Sequence, residues 1–340
     1  MRQYIFGFDE AHPRECAIRL RLDGVDGVVL SHASPDVEEA LDREGIELSL
    51  CYQAYALPSD ADASSLAVDV NGRARRWFGS GCPNDLDNAR RRLDAALEHA
   101  RRTQTARRLI VDGARFASFA SPEGADAFFT CFCPRCQADM KRRGFNPDAL
   151  LHAAKTAGVK DDAEDFVALL RWREAVIQDY FAAFADAVHA LPGSVKAGAF
   201  VFAPSLAGFV GQTARTWRNI DWVAPMLYRA WTEPEGPACL NHEHANAARM
   251  LGDALGAIAL ASGIPHAKDC RDADAILREG FSPERVAQEV AWAREFLNGA
   301  PAELAPILQI RDNDRNRSAE LARRAGADQI GWFAYALASS

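Results

Sequence analysis

The sequence predicts a parallel α/β fold, and within that class a single (β/α)8 TIM barrel spanning residues 1–340. Short β-rich apolar runs alternate with longer amphipathic helical patterns from one end of the chain to the other. Eight such runs can be picked out, the number that a closed barrel needs. No Gly-rich phosphate loop follows the first run, which disfavours the alternative, an open doubly wound sheet.

The first strand is expected over Tyr4 to Phe8, the second over Gly27 to Ser31 and the third over Glu47 to Gln53. A long polar loop then runs to Cys82, followed by a helix from about Asp85 to Thr103 whose Leu86, Ala89, Leu93, Ala96 and Leu97 share one face. Leu109 to Asp112 is the fourth strand, and a loop and a broad helical region extend to Leu191. Val195 to Phe202 and Trp222 to Tyr228 supply strands five and six, Pro306 to Ile310 strand seven, and Gln329 to Tyr335 strand eight. The stretch from Cys239 to Gly299 reads as a long helical insertion between strands six and seven; Gly256 to Ala261 has a strand-like composition but no matching crossover.

Composition narrows the function classes. Hydrophobic residues at 49% and charged residues at 25% describe an ordinary globular chain able to bury a large core. A net charge of −8 argues against nucleic acid or an anionic membrane as the main partner. The first apolar run is too short before Asp9 and Glu10 to be a signal peptide, and no run is long enough to span a membrane. The expected compartment is therefore the reducing cytoplasm, where cysteines favour metals over disulfides. A homo-oligomeric state is left open.

Cys131, Cys133 and Cys136 are spaced C-x-C-x-x-C, and Cys82 follows the turn Trp77-Phe78-Gly79-Ser80-Gly81. Four thiolates suit a closed tetrahedral zinc site of structural type, joining the loops at about residues 54–84 and 113–145. The alternative is reduced, buried cysteines acting as small hydrophobes, as expected for the scattered Cys16, Cys51, Cys239 and Cys270. His242 and His244 flank Glu243, but on a helix that spacing turns them apart, and the cysteines do not match a zinc deaminase signature.

Barrel chemistry collects at the C-terminal ends of the strands. There the sequence places Asp9 and Glu10, Asp112 and Arg115, Tyr228 and Arg229, Gln309 to Asp314, and Trp332, Phe333 and Tyr335. Aromatic faces together with Asp, Gln and Arg suit a small carbohydrate, stacking on its rings and bonding its hydroxyls. Each carboxylate also has a plainer reading: Asp112 as a loop cap, Asp9 and Glu10 as N-terminal helix chemistry before Pro13, and Asp312 and Asp314 as members of a solvated charged run with Arg311.

Cys82-Pro83-Asn84, the run Val111 to Phe116 and Cys131 to Cys136 together resemble bacterial glycoside-hydrolase-like TIM barrels. The four-cysteine layout is similar to the zinc site of the glycoside hydrolase family 42 β-galactosidases, and Ile220 to Tyr228 resembles the sixth strand of glycosidases in that group. The resemblance implies the barrel, a structural zinc on Cys82, Cys131, Cys133 and Cys136, and a glycoside or small oligosaccharide as substrate. The family carries an Asn-Glu pair after strand four, where this chain has Asp112-Gly113, and a Glu nucleophile after strand seven, where it offers Asp312 or Asp314.

The resulting expectation is a glycosidase with Asp112 as general acid/base, Asp312 as its partner carboxylate and Asp9 in reserve. Glu10, Arg115, Tyr228, Arg229, Gln309, Arg311 and Trp332 would bind substrate. Two alternatives stay open: a non-catalytic sugar-binding barrel, and a sugar-acid isomerase or lyase in which Arg115 and Arg311 hold a carboxylate.

Overall fold

The architecture comes from a computed structural model that describes residues 1–120, 127–156, 163–231, 239–265 and 272–333. Its strands are β1 (Arg2–Phe6), β2 (Gly27–Leu30), β3 (Glu47–Gln53), β4 (Ala67–Val68), β5 (Ala74–Arg75), β6 (Ala106–Asp112), β7 (Lys196–Val201), β8 (Trp222–Pro225), β9 (Glu303–Leu304), β10 (Ile307–Gln309) and β11 (Gln329–Phe333). The helices that wrap them are α1 (Pro13–Leu22), α2 (Pro35–Arg43), α3 (Leu86–Arg102), α4 (Pro134–Arg142), α5 (Pro147–Lys155), α6 (Ala163–His189), α7 (Pro204–Ala207), α8 (Ala214–Trp217), α9 (Leu240–Leu251), α10 (Ala254–Ala261), α11 (Ala273–Glu279), α12 (Pro283–Leu297) and α13 (Arg315–Arg324).

One parallel sheet holds nine of the strands in the order β10-β11-β1-β2-β3-β6-β7-β8-β9. They act as eight, because β9 and β10 are the two halves of one barrel strand. β9 pairs with β8 and β10 with β11, and a parallel bridge from Met226 to Ile307 joins the two ends of the sheet. Pro306 lies at the break, where its missing N–H removes a ladder donor. The seventh strand is thus longer than the sequence suggests, beginning at Glu303. The sixth is shorter, ending at Pro225, and the polar loop after β3 contains the small β4–β5 hairpin. Gly256 to Ala261 is helical, within α10, and α9 to α12 form the insertion before strand seven. Tyr335 and Cys270 lie outside the described residues.

The barrel floor is polar and closely paired. Tyr4 donates its hydroxyl to Glu47 Oε2 at 2.7 Å, and Arg108 donates to Glu47 at 3.0 Å and to the Tyr4 hydroxyl oxygen at 2.9 Å. Gln329 links the other side, accepting from Trp222 Nε1 at 2.7 Å and donating to Glu303 at 2.9 Å. Arg108 also stacks over the rings of Tyr4 and Trp222, at 4.9 and 5.7 Å. Burial pushes the Tyr4 phenol up to about 12, against the pull of Arg108. Burial also raises Glu47, but the Tyr4 hydrogen bond and the Arg108 charge outweigh it, holding the carboxyl below its ordinary range. Gly27 is required beside this layer, since a Cβ there would stand 2.3 Å from the Tyr4 ring.

Above the floor, Phe6 packs edge-on against Phe200 at 5.0 Å and against Phe333 at 6.3 Å, so the lumen is filled rather than open. Replacing Arg108 with Met would leave Glu47 and Glu303 without their shared buried cation. Urea unfolding should then show a loss of roughly 3 kcal/mol; an unchanged midpoint would mean the floor network does not hold the barrel closed.

Candidate active face and tetracysteine centre

The loops after β3 and β6 meet at four sulfurs. Cys82, Cys131, Cys133 and Cys136 are all buried, and their Sγ atoms lie within 4.8 Å of one another. Cys82 Sγ is 3.4 Å from Cys136 Sγ and 3.7 Å from Cys133 Sγ. Sulfurs about 2.3 Å from a central ion stand about 3.8 Å apart in a tetrahedron, so the cluster has the dimensions of a metal site. None of the four is in a disulfide.

The local sequence builds this arrangement. Cys133 is the N-cap of α4 and Pro134 its first residue, which turns Cys136 back toward Cys133. Phe132 N donates to Val68 O at 2.8 Å and Val68 N to Cys131 Sγ at 3.3 Å, docking the second loop on the β4–β5 hairpin. Gly81 has no space for a side chain, because a Cβ would stand 2.3 Å from Ser65 O. Hydrogen bonds from the neighbouring thiols push Cys133 far below its ordinary value. Cys82 is pushed well above its own by its bonds to Cys131 and Cys133, and Cys136 by burial. A divalent cation lets all four ionise together.

Beside this centre stands the mouth of the barrel. Asp112 ends β6, and its Oδ1 accepts from Gly113 N at 2.7 Å. Gly113 has a φ of +66°, which starts a tight turn closed by Arg115 N donating to Gly113 O at 2.8 Å. Burial pushes the Asp112 carboxyl above its ordinary range, opposed by the Arg115 charge and the Gly113 N–H. Arg115 is sandwiched among Phe202 at 4.4 Å, Trp77 at 4.9 Å and Phe78 at 5.4 Å. Trp77 and Phe78 belong to the loop that carries Cys82, so the sulfur cluster and the mouth share a wall. Tyr228 packs its ring on Phe333 at 5.1 Å and Trp231 at 6.1 Å. Burial raises the Tyr228 phenol, with Cys239 and then Asp112 adding to the shift.

The other expected residues fall into two separate places. Arg229, Gln309, Arg311 and Asp312 line a cavity of about 430 Å³ that also includes Trp231 and Phe333. Asp312 is bound on both oxygens by Arg229, with Nε to Oδ2 at 2.7 Å, and Arg229 also donates to Asp314 at 2.8 Å and to Phe281 O at 2.6 Å. Asp9 accepts from Ala11 N at 3.0 Å and lies 3.1 Å from His12 Nδ1, an exposed turn before α1 that holds its carboxyl below the ordinary range, and Glu10 is exposed beside it. Trp332 donates to Gln3 at 2.8 Å, and with Asp9 it lines a groove between α1 and α13. β11 turns Phe333 inward, and pleating sends Trp332 to the outside. The structure therefore brings Asp112, Arg115 and Tyr228 together, puts Arg229, Gln309, Arg311 and Asp312 in the adjoining cavity, and leaves Asp9, Glu10 and Trp332 apart from both.

Sequence reasoning passed over Glu243. It is fully buried in α9, accepts from Ala120 N at 3.0 Å and is drawn toward Arg115, although burial dominates and raises its carboxyl. The available signal was its place four residues before Ala247, on the buried face of the helix. Its histidine neighbours diverge as expected: His242 bonds Trp231 O at 3.1 Å, and His244 lies 3.0 Å from Ser205 Oγ. Cys51, expected as filler, is near enough to Asp112 that its carboxylate charge, after burial, raises the thiol.

No family model matches the sequence, and neither does any curated protein. Solved structures do match. A β-galactosidase from the psychrophilic Marinomonas ef1 superposes with a TM-score of 0.64 at 12% identity, over 98% of this chain and 54% of that one. A β-galactosidase from Bacillus circulans sp. alkalophilus gives 0.61 at 15% identity, over 98% and 50%. The chain is thus glycosidase-like in fold and spans about half the length of those enzymes. A chitinase from Pseudoalteromonas aurantia and bee venom hyaluronidase match at lower TM-scores of 0.40 and 0.46. No helix among the described residues is long and apolar enough to cross a membrane.

Purified protein should carry about one divalent metal per chain by elemental analysis, and Cys133→Ser should lose it together with several degrees of melting temperature. Metal-free protein of full thermal stability would contradict a metal site.

Proposed function

We propose that the protein is a glycosidase acting on a small glycoside or oligosaccharide, with Asp112 as the group that protonates the leaving oxygen. The observation that carries this reading is a carboxyl that burial raises above its ordinary range, at the C-terminal end of the fourth barrel strand, close to Arg115 and the aromatic rings stacked on it. A general acid must hold its proton until it donates it, and burial shifts Asp112 in that direction. Arg115 orients the Asp112 turn, and Trp231, which lines the adjoining cavity, offers a ring face to a sugar. Arg229, Gln309 and Arg311 would bind the part of the substrate that extends into the adjoining cavity. The tetracysteine centre would hold zinc, a borderline ion that favours a closed thiolate site, and would take no part in bond cleavage.

Asp312 stands as the expected second carboxylate, but both of its oxygens are occupied by Arg229. Acting as nucleophile or base would require Arg229 to yield. That ion pair favours a second reading, a sugar-binding barrel without turnover. A panel of aryl glycosides and natural oligosaccharides separates the two, because calorimetric binding without product supports the second.

On the first reading Asp112→Asn lowers kcat on a turned-over substrate by about 10²-fold or more. It also changes stability with a defined sign. The folded state holds the Asp112 proton more tightly than the unfolded chain, so this carboxyl costs stability as pH rises through its raised pKa. Asp112→Asn should therefore melt higher than the parent at pH 7, with the gain fading in acid. A lower melting point at pH 7 would mark Asp112 as a structural loop cap instead.

A further inference from the structure

Arg173, on α6, is fully buried. Its guanidinium donates to three main-chain carbonyls: Phe209 O at 2.9 Å, Thr130 O at 2.7 Å and Phe128 O. Its faces stack on Phe128 at 4.7 Å and Phe116 at 5.2 Å. No carboxylate pairs with it among the described residues. Three carbonyl dipoles solvate a buried cation only in part, and such a charge is costly unless an anion stands nearby. One of the three carbonyls, that of Thr130, directly precedes Cys131 in the chain, so the guanidinium sits one peptide unit from a residue of the sulfur cluster.

We propose that Arg173 is the buried counter-charge of the tetracysteine centre. Four thiolates around a divalent ion leave two net negative charges in a desolvated site. Arg135 also lies near the sulfurs, but its charge is already matched by Asp85 at 2.7 Å and its side chain is 39% exposed. Arg173 is thus the cation placed to offset the centre from inside the protein. It also ties the loop that carries Cys131 to Phe209, in the segment after β7, so metal binding and packing of that segment on α6 stabilise each other. Arg173 touches no metal and no substrate; it is a positioning residue acting through Cys131.

This inference rests on the metal reading of the four cysteines, and the experiment separates the two. Zn²⁺ affinity of the full chain is measured by competition with a chromophoric chelator, and the Co²⁺-substituted protein is followed by its thiolate-to-metal charge-transfer band. Arg173→Met should weaken Zn²⁺ binding by about 10–100-fold, whereas Arg173→Lys, which keeps the charge and loses the three-carbonyl fork, should stay within about threefold of the parent. Unchanged affinity in Arg173→Met would overturn the proposal, and so would equal weakening in both variants, since the carbonyl tie would then be what matters. If Arg173→Met does not fold, Arg173→Lys decides alone: near-parental affinity supports the counter-charge and a tenfold loss overturns it. A parent protein that binds neither Zn²⁺ nor Co²⁺ would overturn the metal reading itself.

Discussion

Four buried sulfurs brought within 4.8 Å of one another fix one side of the barrel mouth. Thiols this close, shut away from water, cannot all carry charge without a cation, so the chemistry of the cluster and the conformation of two loops are a single problem. The loop after β3 brings Cys82 and, a few residues earlier, Trp77 and Phe78. The loop after β6 brings the other three cysteines and, at its start, Arg115. Stacking of Arg115 on Trp77 and Phe78 therefore follows from the same meeting of loops that assembles the sulfurs. The Asp112 turn leads directly into Arg115 and so into that meeting.

The two ends of the barrel solve different problems. At the floor, Arg108, Glu47, Tyr4, Glu303, Gln329 and Trp222 satisfy one another, and the hydrogen bond and ion pair on Glu47 favour its charged form. At the mouth the balance is reversed. Burial outweighs the available partners, and the carboxyls of Asp112 and Glu243 are both pushed upward. Uncompensated burial of this kind is the condition under which a carboxylic acid keeps its proton and can donate it.

Much of the fold was legible in the sequence because a parallel strand buried on both faces reads as a continuous apolar run. Gly27 to Leu30 and Leu109 to Asp112 are such runs. The half-strand Glu303–Leu304 escaped notice because it is two residues long and begins with a charge that belongs to the floor network. The cysteine cluster was legible from spacing alone, since C-x-C-x-x-C with a proline after its second cysteine constrains three side chains whatever the remaining chain does. The site residues were harder to read. Strand-end position correctly selects the rim, but not the side of the wall: one residue of register separates inward Phe333 from outward Trp332. Nor does sequence reveal that Arg229 would take both oxygens of Asp312, a partnership across 83 positions. Glu243 was hidden for a similar reason, because the Ala120 N–H that it accepts from lies 123 positions away on a different loop.

The central claim is that the sulfur centre is a clip for the barrel mouth and not for the barrel as a whole. Amide hydrogen exchange read by mass spectrometry, with and without removal of bound metal by a strong chelator, tests it most directly. Peptides covering Ala67 to Cys82, Asp112 to Phe116 and Thr130 to Cys136 should exchange faster by an order of magnitude or more once the metal is gone, while β1, β2 and β11 stay protected. Equal loss of protection throughout the barrel, or no change in those loops, would contradict it.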